Sequence, residues 1–194
     1  MKRIYLDNAS TTSVSKEAKK VMDKYMTEEF GNPNSIHGMG VVAKSALENA
    51  RKGVAKSFNS HSDEIIFNSG GTEGNNAAIF GLFNHLIKNG IKYSDMRAIT
   101  TNIEHSSVLE CFRELEKRGV IVDYAPVEES GIIDPKKIKE LLKPETILVS
   151  VMYANNEIGA IQPIREIDKV IRNFRKNLQP TTYHLQPTTF PYFH

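Results

Sequence analysis

From Arg97 to Arg175 the chain switches repeatedly between two hydrophobic periods, and that switching restricts the folds open to it. Arg97 to Ile103, Val120 to Ala125 and Ile147 to Met152 are short, nearly continuous apolar runs. Ser106 to Arg118, Pro135 to Leu142 and Ile164 to Arg175 instead space their apolar residues three and four apart. The first pattern suits a strand buried on both faces, the second an amphipathic helix. Strands and helices in alternation predict an α/β fold with a mainly parallel sheet covered by helices on both faces.

The amino-terminal third extends the pattern. After an extended start at Ile4 to Leu6, helices are expected from about Lys16 to Met26 and from Gly40 to Phe58, separated by the breaker Phe30-Gly31-Asn32-Pro33-Asn34-Ser35. Glu64-Ile65-Ile66-Phe67 reads as a further strand, and Ile79, Leu82, Phe83, Leu86 and Ile87 carry a helical stripe.

Between them lies Ser69-Gly70-Gly71-Thr72-Glu73-Gly74-Asn75-Asn76. A glycine-rich turn opening a helix aims free backbone N–H groups and the positive end of the helix dipole at one point, which suits a phosphate monoester. Glycines let a ligand approach the backbone, and Thr72 can cap the helix or offer its hydroxyl to a phosphate oxygen. An ordinary capped turn satisfies the same residues. The chain has no G-x-x-x-x-G-K-[ST] run, and glycines at 70, 71 and 74 do not fit G-x-G-x-x-G. A cofactor with a single phosphate therefore fits better than a nucleotide.

In an open parallel sheet ligands gather beyond the carboxyl ends of the strands. His105 follows one predicted strand and precedes the helix start at Ser106-Ser107, while Asn155-Asn156 follows another. An imidazole that stacks on a ring and exchanges protons, with an amide that donates to a phenolate-like oxygen, would complete a site. A capping histidine and an Asn-rich turn remain open for these positions. If the strands ending at Phe67, Ile103 and Met152 are neighbours, Thr72, His105 and Asn156 face one pocket.

Lys plus Arg number 25 against 23 Asp plus Glu, and the charges are interspersed, so no nucleic-acid stripe is indicated. One cysteine, Cys111, excludes an internal disulfide framework and agrees with a reducing, cytoplasmic setting; its place in a helix with Val108 and Leu115 predicts a buried structural thiol. No apolar run approaches membrane-spanning length, the start lacks a signal-peptide core, and no metal site is expected. Near the end, Leu178 to His184 is repeated almost exactly in kind by Leu185 to Pro191, which reads as a tandem duplication in an extended linker. The expected organisation is an arm at 1–15, a partial large domain at 16–176, a linker at 177–191 and a strand that begins at 192–194 and is cut off.

Five stretches occur in order: Tyr5-Leu6-Asp7-Asn8-Ala9-Ser10-Thr11-Thr12, Phe30 to His37, Ser69 to Glu73, Ile103-Glu104-His105, and Val149 to Gly159. Together they resemble the amino-terminal half of the NifS-like cysteine desulfurases, class V, fold-type I pyridoxal-phosphate enzymes. The resemblance runs from about Ile4 to Arg175 and resumes at Tyr192. It implies pyridoxal 5'-phosphate as cofactor, with Gly71 and Thr72 on its phosphate, His105 stacked on its ring and taking part in proton transfer, and Asn156 bonded to its ring hydroxyl oxygen. It implies L-cysteine as substrate, giving L-alanine and an enzyme persulfide, a sulfur-acceptor protein serving iron-sulfur clusters or tRNA thiolation, and a homodimer. The family's ring-pairing Asp, Schiff-base Lys, nucleophilic Cys loop and substrate-binding Arg match nothing in these 194 residues, so they are expected to be an inactive fragment. Selenocysteine lyase or another class V aminotransferase stays open within the class, and a non-catalytic binding or dimerisation module outside it.

Overall fold

The computed structural model describes residues 4–178 and 190–194, and these form two units, 1–67 and 68–194. In the second unit the alternating pattern becomes a four-stranded sheet with every pairing parallel. Its strands are β1 (Arg97–Thr101), β2 (Ile121–Ala125), β3 (Thr146–Val149) and β4 (Tyr192–Phe193), in the order β2-β1-β3-β4. Its helices are α3 (Gly71–Lys88), α4 (Ser106–Arg118), α5 (Pro135–Leu141) and α6 (Ile164–Asn177), numbered after α1 (Lys16–Thr27) and α2 (Gly38–Phe58) of the first unit.

Alternating side chains along the strands divide the core in two. Ala98 and Leu148 pack with Ile79 and Phe83 of α3 and with Val108, Phe112 and Leu115 of α4. Ile99 and Val149 pack with Ile138 of α5 and with Ile167 and Ile171 of α6. Helices therefore cover both faces, as the sequence predicts. Local chemistry sets the ends: Asp134 caps α5 ahead of Pro135, and Gly119 at φ 104° closes α4 in a left-handed conformation that only glycine adopts easily.

The first unit is built differently. Gly40 is buried where α2 begins, and a Cβ there would collide with the Ser35 carbonyl oxygen, so glycine is what lets the Asn32–Ser35 turn lie against the helix. In α1 no residue is buried.

The structure corrects the expected strand at Glu64 to Phe67. Ser62–Glu64 is a single 3-10 turn, residues 65–68 have no regular structure, and Ile66 is 82% exposed. A strand needs a partner for its backbone groups, and this tetrapeptide has none among the described residues. Instead the Arg51 guanidinium bonds the Ile65 carbonyl oxygen and lies 5.0 Å over the Phe67 ring. The strands expected to reach Ile103 and Met152 stop at Thr101 and Val149. Residues 1–3 and 179–189, including most of the duplicated segment expected at 177–191, lie outside the described residues.

Candidate functional site at the helix starts

The glycine-rich turn opens α3 without a strand before it. Gly70, at φ 154° and ψ 178°, holds a conformation that suits glycine. Two side chains shape the turn: Asn68 Oδ1 accepts the Gly70 N–H at 3.0 Å, and Glu73 Oε2 accepts the Ser69 N–H at 2.7 Å. Hydrogen bonding from the Ser69 side chain and backbone holds the Glu73 carboxyl below its ordinary range. The first bond joining the helix to its cap is Gly74 N–H to Gly70 O at 3.1 Å, so the N–H groups of Gly71, Thr72 and Glu73 precede the ladder. Thr72 is exposed beside them, and the space in front of Gly71 is open, with nothing within 4 Å of where a Cβ would stand.

His105 is the N-cap of α4, with Nδ1 accepting the Ser107 N–H at 3.1 Å. The capping role is therefore realised, and the ring is still exposed. Ser107 Oγ lies 2.8 Å from the same nitrogen and 2.8 Å from Asn75 Nδ2. The first turns of α3 and α4 are thus tied together. Thr72 and Asn76 of one helix and Ser106, Ser107 and Cys111 of the other line a shared open cleft of about 380 Å³.

The loops that follow β1 and β3 are stitched just as directly. Glu104 Oε1 accepts the Met152 N–H at 2.6 Å and the Thr101 hydroxyl at 3.2 Å, and Asn155 Nδ2 donates to the Ile103 carbonyl oxygen at 2.9 Å. Glu104 is 7% exposed, and burial pushes its carboxyl above the ordinary range although both hydrogen bonds pull it down. Asn155 is buried, and its Oδ1 accepts the N–H groups of Glu157 and Ile158, so it builds the turn. Asn156 is exposed, with Nδ2 donating to Glu157 Oε1 at 3.0 Å.

The helix that carries Thr72 reaches His105 through Asn75 and Ser107, and the loops that carry His105 and Asn156 are joined by the Glu104–Met152 and Asn155–Ile103 bonds. No hydrogen bond joins the side chains of Thr72, His105 and Asn156 directly, and neither His105 nor Asn156 lines the cleft that Thr72 does. Sequence reasoning passed over Asn75, Glu104, Asn155 and Ser107. The available signal was position: each is within two residues of Thr72's turn, His105 or Asn156 and carries a side chain able to bond backbone or imidazole. Cys111 is 1% exposed, its Sγ donates to the Ser107 carbonyl oxygen at 3.2 Å, and burial pushes its thiol up, which agrees with a structural cysteine. Among the described residues no cluster has metal-ligating character, and no helix is long and apolar enough to cross a membrane.

Residues 4–178 match the family described as Aminotransferase class-V. The chain is 46% identical over 175 residues to a protein named cysteine desulfurase IscS from Dictyoglomus turgidum, a match that covers 90% of this chain and 43% of that protein. A protein of the same name from Methanosarcina thermophila is 43% identical over 171 residues, covering 88% and 41%. Among solved structures, one described as a NifS-like protein superposes with a TM-score of 0.85 at 37% identity, covering 90% of this chain and 47% of that one. Another, described as SspA in complex with cysteine, gives 0.77 at 34% identity, covering 84% and 45%. The chain spans less than half the length of the curated relatives it matches.

Proposed function

This chain belongs to the class-V aminotransferase family, and we propose that it is the cofactor-holding amino-terminal portion of a cysteine desulfurase. The observation that carries this reading is the joining of two helix starts: the free N–H groups at Gly71 to Glu73 on α3, tied through Asn75 and Ser107 to the exposed imidazole of His105 on α4. The open space at Gly71 fits a phosphate, which carries the charge that a helix N-terminus favours. Gly71 and Thr72 would hold the phosphate of pyridoxal 5'-phosphate, His105 would cover its ring, and Asn156 would donate from Nδ2 to its ring hydroxyl oxygen.

When bound, that group supplies an electron sink that no side chain provides, which is what labilises the carbon–sulfur bond of L-cysteine. Gly71, Thr72 and Glu73 bind through fixed N–H donors that need no reorganisation. His105 orients a ring and handles a proton at its imidazole. Glu104 and Asn155 hold the two loops at a fixed separation.

In the complete protein the product would be L-alanine and a persulfide passed to a sulfur-acceptor protein for iron-sulfur clusters or tRNA thiolation, by a homodimer in the cytoplasm. Residues 1–194 match neither the family's Schiff-base Lys nor its nucleophilic Cys loop, and their one cysteine is buried, so we propose that they do not turn over cysteine by themselves. A selenocysteine lyase, or another class V aminotransferase, would use the same residues for the cofactor.

The direct test is a binding comparison on the 194-residue chain. Pyridoxal 5'-phosphate should bind more tightly than pyridoxal, and Thr72→Ala should remove about 1 kcal/mol of that preference, the worth of one hydrogen bond. Equal affinity for the two ligands in the unaltered chain would sink the phosphate seat. A second reading, a non-catalytic binding module, draws on the exposed apolar residues Val21, Met22 and Met26 of α1. It predicts neither preference nor Thr72 dependence.

A further inference from the structure

The backbone hydrogen bond to His105 has a direction that donor chemistry alone decides. A backbone N–H only donates, so the 3.1 Å contact from Ser107 N–H requires a lone pair on His105 Nδ1. That nitrogen then has no proton to give, and the Ser107 hydroxyl, 2.8 Å away, must be the donor to it. The same hydroxyl oxygen meets Asn75 Nδ2 at 2.8 Å. An amide nitrogen only donates, so the oxygen accepts there, and its hydrogen is free to turn to the ring. A chain of hydrogen bonds therefore links α3 through Ser107 to the imidazole.

We propose that Asn75 and Ser107 are positioning residues that lock neutral His105 in the form carrying its proton on Nε2. The other neutral form would put a hydrogen on Nδ1 facing the Ser107 N–H and would lose that bond, leaving the ring only the second lone pair of the Ser107 oxygen to donate to. In the locked form His105 meets a ligand as a hydrogen-bond donor through Nε2. Through Asn75, the helix that carries Thr72 thereby holds the Ser107 hydroxyl beside a ring that follows a different strand. The chemical meaning of the lock rests on the proposed role of His105, while its existence does not.

The test reads the ring itself, by two-bond nitrogen–proton correlations on the isotope-labelled 194-residue chain at a pH where the imidazole is neutral. The Nε2–H form should dominate in the unaltered chain. Ser107→Ala removes a hydroxyl that can bond either form and keeps the backbone donor that decides between them, so the Nε2–H form should stay dominant. Asn75→Asp, nearly the same shape, only accepts; it should draw the Ser107 hydrogen away, leave the oxygen to accept from the ring, and raise the proportion of Nδ1–H form about fivefold, the factor supported by one hydrogen bond of ordinary strength. Ser107→Thr should keep the original spectrum, and unchanged backbone signals for β1 and β3 separate a ring effect from unfolding. A dominant Nδ1–H form in the unaltered chain or in Ser107→Ala, or a ratio that Asn75→Asp does not move, overturns the proposal. Because the phosphate preference probes Thr72 at the other end, either result can fail while the other stands.

Discussion

Glu104 shows how a buried charge can serve geometry. One carboxylate oxygen takes both the Met152 N–H and the Thr101 hydroxyl, fastening the loop that carries His105 to the loop that carries Asn156. Burial raises its affinity for a proton above the ordinary value of 4.5. A carboxyl that holds its proton more tightly when folded stabilises the native state at low pH, and that contribution fades as pH rises through the native value. Glu104→Gln keeps Oε1 as an acceptor and never ionises. Its stability should vary less with pH above about 4.5 than that of the unaltered chain, and at neutral pH it should be at least as stable. Glu104→Ala leaves two donors without an acceptor and should lose about 1–3 kcal/mol. Denaturant titrations across the acidic and neutral range check both, and a Gln variant with the original pH slope would remove burial of charge from the account. Little of this was legible beforehand. Thr72, His105 and Asn156 stand beside recognisable turns, whereas the bond from Glu104 spans 48 residues to Met152 and no local pattern reports it.

At the scale of elements, the sequence announced itself where period and burial agree. α4 matches its expected range from Ser106 to Arg118 because Val108, Cys111, Phe112 and Leu115 make one apolar stripe and Gly119 stops it. Glu64 to Phe67 was misread because an apolar tetrapeptide carries a strand's composition without saying whether a partner exists. Composition is local; pairing is not. The contrast predicts unequal responses to substitution. Phe112 is fully buried, and Phe112→Ala should destabilise by about 3–5 kcal/mol through the cavity it leaves. Ile66 is 82% exposed, and Ile66→Ser should stay within about 0.5 kcal/mol of neutral. Thermal melts of the two variants decide the matter, and a comparable loss from Ile66→Ser would mean that this segment is packed after all.

At the scale of the molecule, apolar burial is distributed unevenly between the two units. The largest fully buried side chains, among them Phe83, Phe112, Ile99 and Ile167, all belong to residues 68–194. Within 4–67 the buried residues are Gly40 and Ala55, while Ile4, Leu6, Val21, Met26, Ile36 and Phe58 stand exposed. Hydrophobic burial drives folding in rough proportion to the apolar area removed from water, so each unit taken by itself has a very different reserve. Local opening should follow that reserve. In native-state hydrogen exchange, amides of β1, β3 and α4 should be the slowest in the chain, and those of α1 should exchange near the rate of an unprotected helix. Limited proteolysis should first cut between about Lys16 and Phe67 and leave a resistant product that contains both core clusters. Bound pyridoxal 5'-phosphate should slow exchange at Gly71 to Glu73 and leave α1 unchanged, since its proposed contacts lie wholly in the second unit. Equal protection of α1 and β1 without ligand would show that the first unit has a stabilising partner which its own exposed side chains do not reveal.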